Sequence, residues 1–84
     1  MTNVINQSVN VSAFYFAGNE MKTFPRSIEY GGTAVTFANG LRYLVQRGQQ
    51  AVRYFDMSSE GSDLTYRLRQ DGSNWVLLGT KGVA

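Results

Sequence analysis

The chain contains neither Cys nor His, and these two absences remove more chemistry than any motif in it supplies. Without Cys there is no thiol nucleophile, disulfide, iron–sulfur cluster or cysteine zinc site. Without His the commonest general base and metal ligand are gone. Acid–base work would fall to six carboxylates: Glu20, Glu29, Asp56, Glu60, Asp63 and Asp71. Glu20, Glu60, Asp63 and Asp71 lie in stretches that read as turns, where carboxylates are usually solvated rather than held in a catalytic pair. Asp56, Ser58, Glu60 and Gly61 have the spacing of the first half of a calcium loop. The position that should close the site with a bidentate Glu is Arg67, a cation. The stretch therefore reads as a surface loop. A serine nucleophile would have only Lys22 or Lys81 as base, at no recognisable spacing. Gly79-Thr80-Lys81-Gly82 is too short to cradle a phosphate. No metal and no cofactor is expected, and no nucleophile, base and oxyanion set assembles. The chain reads as non-enzymatic.

What remains is a mixture of arginine and aromatic residues. Six of the eight cations are Arg, the residue favoured for planar, bidentate or stacking contacts. In 51–57, period two puts Val52, Tyr54 and Asp56 on one face and Ala51, Arg53, Phe55 and Met57 on the other. Arg67 and Arg69 share a face opposite Leu64, Tyr66 and Leu68. If Val52 and Tyr54 turn inward, then Arg53, Phe55, Arg67 and Arg69 make one candidate binding surface. Such a surface suits a protein interface, where Arg, Met and aromatics are enriched. It also suits single-stranded nucleic acid, whose bases stack while guanidinium meets phosphate. If Phe55 turns inward instead, Arg53 runs its stem along an apolar wall. Contiguous Phe, Tyr and Met would favour a protein or self interface; separated aromatics ringed by Arg would favour nucleic acid.

Elements must position these side chains. Val9 to Phe16 alternates with period two and reads as a strand, ending in a turn at residues 17–20. Pro25 makes the next strand an edge strand or starts it later, because it lacks an N–H. Gly31-Gly32 is a hairpin turn leading into a β-branched strand from Thr33. Residues 39–47 place Leu41, Leu44 and Val45 on one helical stripe, with Asn39 as N-cap and Gly48 as C′. They are expected as a helix. The competing pattern is a hairpin turn at Asn39-Gly40. Strands follow over 51–57, 64–69 and 75–78; the last two form a hairpin across 71–74. An even loop there would bury Trp75 beside Leu68 and put Val76 on the Arg face.

At 84 residues the chain is one domain. The 13% aromatic content argues for an ordered core. The expected fold is α+β: an antiparallel sheet of five or six strands with one short helix, about residues 39–47, on one face. The alternative is all-β, a small curled sheet or barrel. Residues 1–8 are expected as a flexible tail, 9–80 as the globular domain and 81–84 as a flexible end. The expected core is Ile28, Val35, Phe37, Leu41, Leu44, Val45, Val52, Phe55, Leu64, Tyr66, Leu68, Trp75 and Leu77. A net charge of +2 is too weak to dictate a polyanionic partner. No apolar run approaches the roughly 18–20 residues that span a bilayer. Residues 1–8 are polar and carry no Lys or Arg, so a cytoplasmic protein without a membrane partner is expected. The expected function is a binding or accessory domain acting through a protein partner or as a homo-oligomer. The alternative is a single-stranded nucleic-acid binder using Arg53, Arg67 and Arg69.

Overall fold

The computed structural model describes residues 2–82. Six strands succeed one another: β1 (Thr2–Ala17), β2 (Lys22–Tyr30), β3 (Thr33–Arg47), β4 (Gln50–Ser59), β5 (Thr65–Asp71) and β6 (Asn74–Lys81). Each pairs antiparallel with the next, and β6 returns to β1, closing a barrel. Closure satisfies backbone groups that an open sheet would leave at its two edges. Among the described residues there is no helix. The α+β expectation is thereby corrected; the fold is the all-β barrel held as its alternative.

The segment expected as a helix runs straight through β3. Leu41 to Arg47 pair rung for rung with Asp56 to Gln50. Gly48, read as a helix cap, is instead a left-handed turn residue (φ 60°) joining β3 to β4. Asn39-Gly40 is no turn either, but lies just after a register shift in the β3–β4 ladder. Helix propensity differs by only about 0.7 kcal/mol between ordinary residues, too little to offset an unpaired edge along β4. Leu41 and Leu44 leave the expected core: on a strand they point to opposite faces, and they are 70% and 61% exposed.

The interior holds Ile28, Phe37, Phe55, Tyr66, Leu68, Trp75 and Leu77, with Val35 and Leu64 packed partly buried against them. Val9 and Met57 join this core, although the sequence did not nominate them. Val45 and Val52 are half-buried cross-strand partners. Side chains fill a barrel this small, leaving no channel.

Two strands change partners midway. β1 pairs with β6 through Val9 and with β2 from Asn10 onward. Residues 2–8, expected as a tail, thus hold strand pairing from Thr2; Met1 and residues 83–84 lie outside the described residues. β3 pairs with β2 through Thr36 and with β4 from Phe37 onward. The first half of β2 therefore meets β1 but forms no ladder with β3. Pro25 sits in that half, opposite Phe14 of β1. Its missing N–H costs nothing on an edge that β3 does not use. Arginines lace the gap instead: Arg26 donates to the Phe37 carbonyl at 3.3 Å and Arg42 to the Thr23 carbonyl at 3.4 Å.

The Gly31-Gly32 turn forms as expected, both residues having positive φ (60° and 78°) and pairing Tyr30 with Thr33. The β5–β6 turn has two residues, Gly72-Ser73, so the even-loop register holds through Leu68↔Leu77, with Trp75 inside and Val76 beside Arg69. A bulge after Leu68 then shifts the ladder, and Arg67 faces Gly79.

Candidate functional site

The four residues singled out from sequence do not share one surface. Phe55 is 1% exposed and belongs to the core. Arg53, two residues away on the same face, is partly buried at the end of that core. Arg67 and Arg69 lie on the other side of the barrel wall, and each is occupied. Arg67 grips Asp56 in a bidentate pair at 2.9 and 3.2 Å, and Arg69 meets Asp71 at 2.8 Å. The hydrogen bond to Asp56, with its charge, raises the Arg67 pKa further. The pair belongs to a small outer network. Tyr43 stacks on Tyr54 at 5.7 Å and donates to Asp56 at 3.5 Å. Burial first, then Asp56, pushes the Tyr43 phenol pKa up.

Arg53 has different company. β4 pairs with β3 and β5, putting Leu44 and Gln70 beside Arg53, and Arg42 beside Phe55. The inward face of the β3–β4 hairpin thus carries two arginines. Arg42 lies over the Phe55 ring, 6.0 Å from its centroid, within cation–π range. Arg53 donates to the Gln70 Oε1 at 3.4 Å, while its Nε is buried without a hydrogen-bond partner. A buried, unsatisfied guanidinium N–H costs free energy until an acceptor reaches it. Across from them, Phe14 of β1 meets Trp75 of β6 at 6.0 Å.

Together Phe14, Thr23, Arg42, Arg53, Phe55, Gln70 and Trp75 line a cavity of about 310 Å³ at the barrel mouth. Within its lining Phe55 meets Trp75 at 5.1 Å, and behind them Phe24 packs on Phe55 at 6.1 Å and Tyr15 on Phe24 at 5.3 Å. No carboxylate lines it. The nearest acid acting on Arg42 is Glu20, which is paired with Lys22 at 3.3 Å. Burial, then the like charge of Arg53, lowers the Arg42 pKa. Two guanidiniums therefore face one apolar hollow with no anion between them. The hollow can take a group with an anionic end and a flat apolar body.

Beside it lies a larger basin of about 690 Å³, lined by Ser8, Asn10, Glu29, Ser73 and Asn74 together with Val9 and Val11, and the Phe14–Trp75 pair borders both. The sequence reading found Arg53 and Phe55 but missed Arg42, Phe14 and Gln70, and it assigned Trp75 to the core. A signal for Arg42 was present. A two-residue turn at Gly48-Gln49 sets Arg42 opposite Phe55, a pairing that a helix cap at Gly48 would preclude.

Among the described residues no group of acidic side chains could hold a metal ion, and no helix is long and apolar enough to cross a membrane. No protein-family model matches the chain, and no curated protein or solved structure is significantly similar to it.

Proposed function

We propose that this is a non-enzymatic binding domain whose ligand presents an anionic group on a flat, apolar one, held at the barrel mouth. The observation that supports it is the convergence of Arg42 and Arg53 on an aromatic hollow whose lining includes no carboxylate. A ligand anion would satisfy the Arg53 Nε and relieve the repulsion between the two guanidiniums. The ring attached to that anion would lie against Phe14 and Trp75. Phe14 and Phe55 both touch Trp75 here, with two Arg beside them, a set suited to a ligand that stacks and carries charge. The cytoplasm stays the proposed compartment.

Trp75 is the sole tryptophan, so its fluorescence reports on the mouth directly. Phenyl phosphate should change Trp75 emission at concentrations where inorganic phosphate and phenol do not. Arg53→Ala should abolish the response, and the double variant Arg67→Ala/Arg69→Ala should leave it intact. Equal binding of phosphate and phenyl phosphate, or loss on replacing Arg67 and Arg69, would refute the assignment.

A second reading, self-association, is supported by β3 itself. Beyond Phe37 this strand pairs only with β4, and Leu41 and Leu44 stand exposed along it. A second copy could pair along that edge, but Arg42, Arg47 and Arg53 of each copy would then be brought together.

A further inference from the structure

We infer that the ligand of the mouth is single-stranded nucleic acid, bound with its backbone along the β3–β4 hairpin and a base on the Phe14–Trp75 pair. This rests on the mouth being the binding site and adds the class of ligand. Three features carry it.

The first is the line of charge. From Leu41 to Phe55 the hairpin holds Arg42, Arg47 and Arg53 and no carboxylate. None of the three takes part in an ion pair among the described residues. Arg42 and Arg53 share the inward face, Arg42 beside Phe55 and Arg53 two rungs along, about 7 Å on an extended strand, while Arg47, an odd number of positions from Arg42, points to the opposite face. The Arg42–Arg53 spacing suits successive charges of a linear polyanion rather than one small ion.

The second is the exposed ring. Phe14 is 50% exposed while touching the buried Trp75. An aromatic half open at a cavity rim offers a base a stacking surface that every base can use. A base paired inside a duplex keeps both faces stacked on its neighbours and has none to offer the ring.

The third is the split of the surface on either side of that ring pair. On the arginine side lie Arg42 and Arg53; on the other lie Ser8, Asn10, Ser73 and Asn74, with the carboxylate of Glu29. Glu29 repels phosphate and keeps the backbone on the arginine side. The hydroxyls and amides opposite can meet the polar edge of a base. An acidic peptide would supply the negative charge but no flat, polar-edged ring next to each charge.

The test follows Trp75 fluorescence in low salt with four probes: thymidine monophosphate, an eight-residue oligo-dT, a duplex of the same length, and polyglutamate. The oligo-dT is expected to bind at least tenfold tighter than the mononucleotide. It should also bind tighter than duplex or polyglutamate. The logarithm of its affinity should fall with the logarithm of salt at a slope near 1.4, for two phosphate contacts at about 0.7 each. Arg42→Ala should lower that slope by about 0.7, and Arg47→Ala, on the opposite face of the hairpin, should leave it unchanged. Equal binding of oligo-dT and mononucleotide would overturn the inference and leave the mouth assignment standing. Polyglutamate or duplex matching oligo-dT would likewise overturn it, pointing to charge alone. If phenyl phosphate also fails to bind, the mouth assignment falls as well.

Discussion

At Arg53 the chain keeps a charged side chain where an apolar one would be cheaper. Its stem runs from the buried Phe55 toward Gln70, and its Nε has no partner. Replacing a poorly satisfied buried charge by an aliphatic chain of like length is often stabilising. Arg53→Met is therefore expected to raise stability by about 0.5–2 kcal/mol while removing the phenyl phosphate response. Urea unfolding of the two proteins checks the first part, and a loss of stability would show that Arg53 serves the fold. Tyr43 makes a separate point about pH. Burial and Asp56 raise its pKa in the folded state above the ordinary value of about 10. A group whose folded pKa is raised contributes stability that is fully present below its unfolded pKa. That stability is lost as pH rises through the folded value. Thermal stability should therefore drop above about pH 10, and Tyr43→Phe should flatten the drop. An alkaline melting series unchanged by that substitution would contradict the linkage.

At the scale of an element, β3 shows why a local pattern misled. Its apolar residues fit a helical stripe because Leu41, Leu44 and Val45 happen to fall three and four apart. The backbone, however, is committed to β4 along ten paired positions. Gly40 belongs to that commitment: a Cβ there would run into the Met57 sulfur and lie 2.7 Å from the Asp56 carbonyl oxygen. Gly40→Ala should therefore destabilise by about 1–3 kcal/mol, the usual range for overpacking. Leu44→Ala, on an exposed side chain, should stay within about 0.5 kcal/mol. Phe37→Ala, fully buried, should cost about 3–5 kcal/mol. Chemical denaturation of the three variants tests the strand directly, since a helix would make Leu44 the costly one.

For the whole molecule, the charge that matters is its placement. A net +2 predicts little, yet the β3–β4 hairpin carries three arginines without an ion pair among the described residues, two of which face the mouth. Two consequences run in opposite directions with salt. Binding of an anion at the mouth weakens as salt rises. Pairing of two copies along β3 brings like charges together, so it strengthens as salt screens them. Light scattering at about 0.1 mM protein, a concentration that reveals modest affinities, should show a monomer in low salt. Any dimer should appear only near 1 M salt, where screening is nearly complete. A dimer that is stronger in low salt would mean that another surface is used.

The residues themselves determined a good deal. Gly31-Gly32 requires positive φ and makes a hairpin wherever it is placed. Leu64 to Arg69 alternates cleanly, and the polar stretch 71–74 can only return the chain. The absence of Cys and His removed whole classes of chemistry before any fold was known. These are local properties, set by backbone sterics and side-chain type. Only tertiary structure decided the rest. Whether residues 39–47 coil or extend depended on β4 needing a partner, a demand made by residues beyond the segment. Which face of β4 turned inward depended on barrel closure, which put Arg53 with Arg42 and away from Arg67 and Arg69. The mouth takes side chains from all six strands, and Phe14 and Arg42 both line it although 28 positions separate them. No short-range pattern encodes such a meeting, because register across a closed sheet is fixed by all its strands together.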